Sequence, residues 1–473
     1  MGTGSWKPRV RLAGTVVLAV VILLALVAGG AVAMYSPERV RALAVESPSP
    51  TPTVPRPTPT TVPPVLATPA TTAAPRAASV ESRLAGLLGE RSLGTRFGAY
   101  VVDPANERTL LSQRGTSAVT PASTAKIPTS VAALSALGPD TRFTTTAVRS
   151  GQSVVLVGGG DPTLLGPKRQ PKLPAYPSLA RLSTLAKETA KALGDNAGTV
   201  RVRIDDSLFS GPRTGPGWKP NYVPEGSVAP VSALTIDHGR SDPRKGGRVS
   251  DPAMLAGNAF RRLLANEGVR VAGKVGRAGA AKDAAELASV RSPTVAELVE
   301  LTLTYSDNDV AEALARHVAR AEGEPASFAG VARATGRVLA ELGIGSGITL
   351  YDGSGLSTKD RVTPQGLAQV LQLVASGEHP DLSAVLSGMP VGGFSGTLAD
   401  RYDQAESQGG VGVVRAKTGT LDGVSSLAGY VQDENGRVLV FAFVANGIPK
   451  KKAGETRPTL DRLSARLATC GCS

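Results

Sequence analysis

Hydrophobic and polar positions divide the chain into stretches of different period. Residues 12–34 carry no charge and follow Lys7, Arg9 and Arg11, so this apolar run has bilayer-spanning length with its basic flank left in the cytoplasm. Residues 47–79 then hold almost only Pro, Thr, Ala, Ser and Val, with prolines at 48, 50, 52, 55, 57 and 59. Such a segment cannot build a core and reads as a disordered, extended, polyproline-like tether. Beyond it the pattern becomes that of a folded protein. A helix is expected over 80–88 and strands over 98–102 and 109–112. Pro121-Ala122-Ser123-Thr124-Ala125-Lys126 leads into a helix that stops at Gly138-Pro139, which puts Ser123 at a helix N-terminus. A strand at 154–157 runs into Gly158-Gly159-Gly160-Asp161-Pro162. The glycine spacing fits neither nucleotide fingerprint, and Asp161-Pro162 opposes a helix there, so a turn is expected.

Mixed signals follow, with a strand over 200–204 and a helix over 252–267. Thr294-Val295-Ala296-Glu297 has the form of a capping box, opening a helix that ends at Ser306-Asp307-Asn308. Helices are expected over 309–320, 363–376 and 459–468, and consecutive antiparallel strands at 417–419, 425–431 and 437–444. No internal repeat is visible.

The division that follows is residues 1–45 as a cytoplasmic tip with a transmembrane anchor, 46–79 as the tether, 80–160 with 291–473 as one domain, and 161–290 as an insertion. Ala31-Val32-Ala33 also fits a signal-peptidase site, but an h-region is normally about 7 to 15 residues, which favours an uncleaved anchor. Either reading exports the folded part.

Composition removes several function classes. A hydrophobic content of 41% supports a buried core, and 473 residues are too many for one average domain. The net charge of +13 is spread along the chain and aromatics are only 4%, so no aromatic-studded basic surface for nucleic acid is apparent. Cys470 and Cys472 are the only cysteines; two residues apart, they staple no domain. His238, His317 and His379 join no ligand-spaced motif, so no metal and no cofactor is expected.

Amide hydrolysis needs a nucleophile, a group to take its proton, and dipoles for the oxyanion. Three scattered histidines leave a Ser-His-Asp triad little to work with. In Ser123-Thr124-Ala125-Lys126 the spacing of three puts both side chains on one helix face, and a lysine depressed toward neutrality by burial beside a second cation can act as base. Lys417 is a candidate for that cation. Ser-X-X-Lys alone is a weak signal. The ordered set Ser123-X-X-Lys126, Ser306-Asp307-Asn308 and Lys417-Thr418-Gly419, each in fitting structural context, is a strong one.

These three boxes resemble those of the penicillin-binding proteins and serine β-lactamases. Gly160-Asp161-Pro162-Thr163-Leu164, Asp352-Gly353-Ser354-Gly355-Leu356-Ser357, Arg361-Val362-Thr363-Pro364, Gly396-Thr397-Leu398 near Arg401, and Arg415-Ala416-Lys417-Thr418-Gly419-Thr420 narrow the resemblance. It is to the class C low-molecular-mass D-Ala-D-Ala carboxypeptidase/endopeptidase family, peptidase S13 type, from about residue 80 to the end.

The resemblance implies an α/β (α+β) penicillin-recognising, β-lactamase-like fold: an antiparallel sheet between helical layers, with a large inserted domain. It implies a serine-type carboxypeptidase acting on peptidoglycan peptides ending in D-Ala-D-Ala and inhibited by β-lactams. Ser123, Lys126 and Ser306 would be catalytic; Asn308, Lys417, Thr418 and Gly419 would bind substrate; and the backbone N–H groups of Ser123 and Thr420 would hold the oxyanion. Thr358 and Lys359 stand where the family commonly has an arginine, and Lys219 follows Trp218 where an acid is frequent, so a diaminopimelate preference at the third peptide residue is not implied. Asp352 and Ser354 read as a structural turn beneath the site. A β-lactamase and a non-catalytic wall-binding or β-lactam-sensing protein are the alternatives; no Glu-containing loop of the β-lactamases is recognisable, and intact boxes argue against the second.

Membrane association follows from residues 12–34 alone. Fractionated cells are expected to retain the full-length protein with the membranes until detergent is added; a mature N-terminus at Met34, found by terminal sequencing, would replace the anchor with a cleaved signal.

Overall fold

The computed structural model describes residues 73–168, 176–196, 198–242 and 246–472, and the structural statements below concern these residues. The candidate span at 12–34 and most of the tether lie outside them. No described helix is long and apolar enough to cross a membrane.

Helix α1 (Ala77–Leu88) precedes the hairpin β1 (Arg96–Asp103) and β2 (Arg108–Gln113), and α2 (Lys126–Leu137) follows. Strands β3 (Arg142–Ser150) and β4 (Ser153–Val157), helix α3 (Leu182–Leu193), strand β5 (Arg201–Asp205), helix α4 (Pro252–Asn266), and strands β6 (Gly276–Arg277) and β7 (Ala285–Thr294) come next. Four helices succeed them: α5 (Val295–Tyr305), α6 (Asn308–Ala321), α7 (Phe328–Glu341) and, after β8 (Ile348–Thr349) and β9 (Arg361–Val362), α8 (Pro364–Ala375). The chain closes with β10 (Val414–Leu421), β11 (Val424–Gln432), β12 (Val438–Asn446) and α9 (Ala453–Ala468).

Both faces of the first sheet are covered, because alternate residues of its strands enter two different cores. The strand order is β10-β11-β12-β1-β2, antiparallel throughout. From β12, Phe441, Phe443 and Ala445 pack with Val80 and Leu84 of α1 and Leu460 and Leu463 of α9. Their neighbours Val440, Ala442 and Val444 face the core of α2, α5, α6, α7 and α8, with Val131, Leu298, Leu314, Val338 and Leu367. Each large aliphatic side chain so buried contributes about 1.5–3 kcal/mol. The expected helix–sheet–helix sandwich is therefore present.

The second sheet has the order β6-β5-β4-β3-β7 and a core of its own, including Leu156, Val202, Ile204, Leu185 and Phe260, within the same compact unit, residues 69–473. Its limits differ from the expected insertion. Strands β3 and β4 were assigned to the catalytic part, yet β3 pairs with β7 and β4 with β5, and the expected return at 291 falls inside β7. Alternation identifies a strand and says nothing about its neighbour, which is why the sheet runs from 142 to 294 instead. Strand β7 passes directly into α5 through the capping box: Thr294 Oγ1 accepts from Glu297 N (3.2 Å), and Thr294 N donates to Glu297 Oε2 (2.7 Å). Cys470 and Cys472 pair with each other, and the Cys472 carbonyl accepts from Arg76 N at 2.8 Å, so the cysteine pair sits where the C-terminus meets the start of α1.

Candidate active site

Ser123 lies in a 3-10 turn, Ala122–Ala125, that runs straight into α2. Ala122 holds φ at +51°, a left-handed conformation that costs a side-chain-bearing residue about 1–3 kcal/mol and is maintained only by its surroundings. One such neighbour is Gly355, where a methyl group would meet the Ala122 carbonyl oxygen at 2.1 Å. Three residues after the serine, Lys126 is fully buried. Its Nζ donates to Ser123 Oγ at 3.1 Å, Asn308 Oδ1 at 2.6 Å and the Ser354 carbonyl at 2.5 Å.

The second box is a helix-to-helix junction. Ser306 ends α5 at φ +58°, and Asp307 caps α6 by accepting from Val310 N at 3.0 Å. Asn308, now first in α6, is turned toward Lys126, while its Nδ2 donates to the Ser227 carbonyl at 2.8 Å. The segment between β5 and α4 thus touches the box directly. Beside it, His238 Nδ1 lies 3.4 Å from Asp307 Oδ2, and Arg248 pairs with Asp309 at 2.9 Å. His317 is stacked on Phe143, with ring centroids 3.5 Å apart, and burial pushes it down to about 3.

The third box lies on β10, an edge strand. Ala416 N donates outward to the Pro390 carbonyl, and with the period of two the N–H groups of Thr418 and Thr420 face the same outer edge. Gly419 lets this strand approach the nucleophile: a Cβ there would sit 2.2 Å from Ser426 Oγ, 2.7 Å from the Pro121 carbonyl and 3.0 Å from Ser123 N. Lys417 is fully buried and donates to the Thr418 carbonyl at 2.8 Å, while Thr418 Oγ1 donates to Thr397 Oγ1 at 2.9 Å.

Burial lowers Lys126 from 10.5 to about 8, against the opposing pull of Asp352, Glu312, Asp307 and Asp360. Burial, followed by the charge of Lys126, holds Lys417 well below an ordinary lysine. Burial is thus the leading cause at both amines, and the repulsion between the two ammonium groups, being mutual, disfavours charging either. Two acids beneath the site move the other way. Burial, then the charge of Asp352, raises Glu312 to about 8 and Asp360 well above its usual range.

Ser123, Ser306, Thr418 and Thr420 come together with Thr397, Arg401 and Arg457 around a cavity of about 390 Å³. Lys126, Asn308 and Lys417 stand behind its wall instead of lining it. Arg401 pairs with Asp461 at 2.5 Å. Arg457 and the Ser354 carbonyl escaped sequence reasoning, the first because it is one arginine among many, the second because a backbone atom has no sequence signature. Lys219 pairs with Asp422, and both line a neighbouring cavity with Thr358 and Leu421. A hydroxyl 3.1 Å from an amine that is partly unprotonated near neutrality, beside a strand edge of free N–H groups, is equipped for acyl transfer.

The D-Ala-D-Ala carboxypeptidase 3 (S13) family model matches residues 80–245 and 242–467. This chain belongs to that family. Among curated relatives, carboxypeptidase DacB of Mycolicibacterium smegmatis is 36% identical over 99% of this chain and 98% of its own. A carboxypeptidase of Mycobacterium tuberculosis is 36% identical over 85% of this chain and 86% of its own, and the D-alanyl-D-alanine carboxypeptidase of Actinomadura sp. is 30% identical over 75% and 78%. The crystal structure of penicillin binding protein 4 from Haemophilus influenzae superposes with a TM-score of 0.68 at 23% identity, covering 82% of this chain and 98% of that one. The same protein has been solved in complex with a β-lactam. The chain is thus a class C low-molecular-mass penicillin-binding protein with the fold that the three boxes implied, and a serine-type D-alanyl-D-alanine carboxypeptidase.

With Lys126 near 8, β-lactam acylation measured by stopped flow should climb as pH rises through about 8, where the free amine becomes the major form, and then level off. A rate independent of pH between 6 and 9 would disconnect the amine from the reaction.

Proposed function

We propose that Ser123 attacks the penultimate D-Ala carbonyl of a wall peptide and that Lys126 receives its proton. The observation that carries this is the Lys126 ammonium: fully desolvated, within 3.1 Å of Ser123 Oγ, and lowered to about 8. A C–O bond forms between Ser123 and the carbonyl, and the oxyanion rests on the N–H groups of Ser123 and Thr420. Removing one such donor typically costs about 100- to 1,000-fold in rate. The C–N bond then breaks, and the proton held by Lys126 passes through Ser306 to the departing D-Ala nitrogen. Water releases the acyl group from Ser123. A β-lactam enters the same cleft, and its acyl-Ser123 hydrolyses slowly.

Asn308, expected to bind substrate, acts instead from behind the wall: its Oδ1 fixes Lys126 and its Nδ2 is taken by the Ser227 carbonyl, while Thr418 and Gly419 of β10 align the substrate along the strand edge. Lys417 supplies positive charge for the terminal carboxylate from behind Thr418, since its own amine is buried. Residues 12–34 tether this domain to the outer face of the membrane. A cross-linked stem peptide also carries a D-Ala carbonyl at its scissile amide, so endopeptidase action needs no different nucleophile.

Incubation of the purified 73–473 segment with a defined pentapeptide and a cross-linked dimer, followed by mass spectrometry, should show loss of one D-Ala from the first and cleavage of the second. Intact pentapeptide after complete labelling by penicillin would make the protein a β-lactam-binding sensor.

A further inference from the structure

Glu312 is buried to 1% exposure on α6, one turn beyond Asn308 and on the same helix face. Its Oε1 accepts from Gly353 N at 3.1 Å and from Ser354 N at 2.9 Å. Oε2 makes no hydrogen bond among the described residues. The Ser354 residue so gripped is the one whose carbonyl receives Lys126 Nζ at 2.5 Å. The turn is tight against α6, for a methyl on Gly353 would lie 2.5 Å from the Ala311 carbonyl. Helix α6 therefore reaches Lys126 twice, through the Asn308 side chain and through Glu312 and the Ser354 peptide.

We propose that Glu312 is a positioning residue for acylation: its carboxyl pins the Gly353–Ser354 backbone so that the Ser354 carbonyl holds the Lys126 amine on Ser123. This rests on the proposed role of Lys126 as the proton acceptor and adds a residue that the three boxes do not contain. Glu312 does not touch substrate.

The charged groups around it are few. Asp352 and Asp360 face it from the loop, Lys126 from α2, and Arg316 from its own helix one turn on, with Arg316 Nη1 already donating to the Ser210 and Ala326 carbonyls. Asp352 is itself held by Gly355 N, Ser357 N and Trp218 Nε1. Ionised Glu312 favours the protonated form of Lys126, so its charge works against the base while its oxygen places it. Position and charge can be separated by substitution.

The experiment follows penicillin acylation of the purified enzyme against pH, with folding checked by thermal melting. Glu312→Ala leaves two buried N–H groups without an acceptor and frees the turn. Acylation should fall at least about 10-fold, the usual scale for losing a supporting partner. Glu312→Gln keeps an oxygen for the same two donors and removes the charge. It should retain most of the rate, with the acidic limb displaced little, because Glu312, raised to about 8, is itself largely neutral below that pH and Asp352, Asp307 and Asp360 remain. Wild-type acylation by folded Glu312→Ala overturns the proposal, and so do equal losses in both variants. Should Glu312→Ala not fold, Glu312→Gln and Glu312→Met decide: a rate retained in the first and lost in a folded second supports the role, and equal rates in the two overturn it. Failure of the unaltered enzyme to acylate would instead contradict the role of Lys126 and Ser123.

Discussion

An ammonium group without water is the constraint around which this site is built. Removing such an ion from water costs several kcal/mol even after relaxation, and a single charged hydrogen bond returns only about 1.5–3. Lys126 is placed there with three oxygens at 2.5–3.1 Å, from Ser123, Asn308 and Ser354. Each oxygen comes from a different part of the fold: the start of α2, the start of α6 and the turn between β8 and β9. Holding the amine therefore requires the helical layer to be assembled, and desolvation by the same layer lowers its pKa to about 8.

Backbone conformations that would be unfavourable elsewhere serve this convergence. Ala122 and Ser306 both occupy the left-handed region, on either side of the cleft. Gly355 and Gly419 give up a side chain so that the 352–357 turn and β10 can close on the nucleophile turn from two directions. The segment between β5 and α4 contributes as well, since the Ser227 carbonyl accepts from Asn308 and Trp218 donates to Asp352. Its residues stand behind the boxes as well as flanking the cleft.

Much of this was readable in the chain. The apolar run at 437–444 announced a strand, and the capping box at 294–297 announced the helix that delivers Ser306. The three boxes were legible because side-chain chemistry at fixed spacing leaves a mark on a sequence. What could not be read were pairings. Residues 80–160 were expected to belong to one domain, yet β3 and β4 pair with β7 and β5, which are distant in sequence. Nothing in the sequence singles out Glu312, since its partners at Gly353 and Ser354 lie 41 and 42 residues away. A sequence does not show how deeply a lysine is buried, and burial is what chiefly lowers both Lys126 and Lys417. His238 joined no motif, yet folding carries it to Asp307.

Peptide mapping of the protein after reaction with a β-lactam tests the central claim most directly, in the unaltered chain and in Lys126→Ala. A single acylated tryptic peptide with the adduct on Ser123, absent from a Lys126→Ala protein that melts as a folded species, is the result expected of a buried amine activating that hydroxyl. An adduct on another residue, or equally rapid labelling of Ser123 without Lys126, would contradict it.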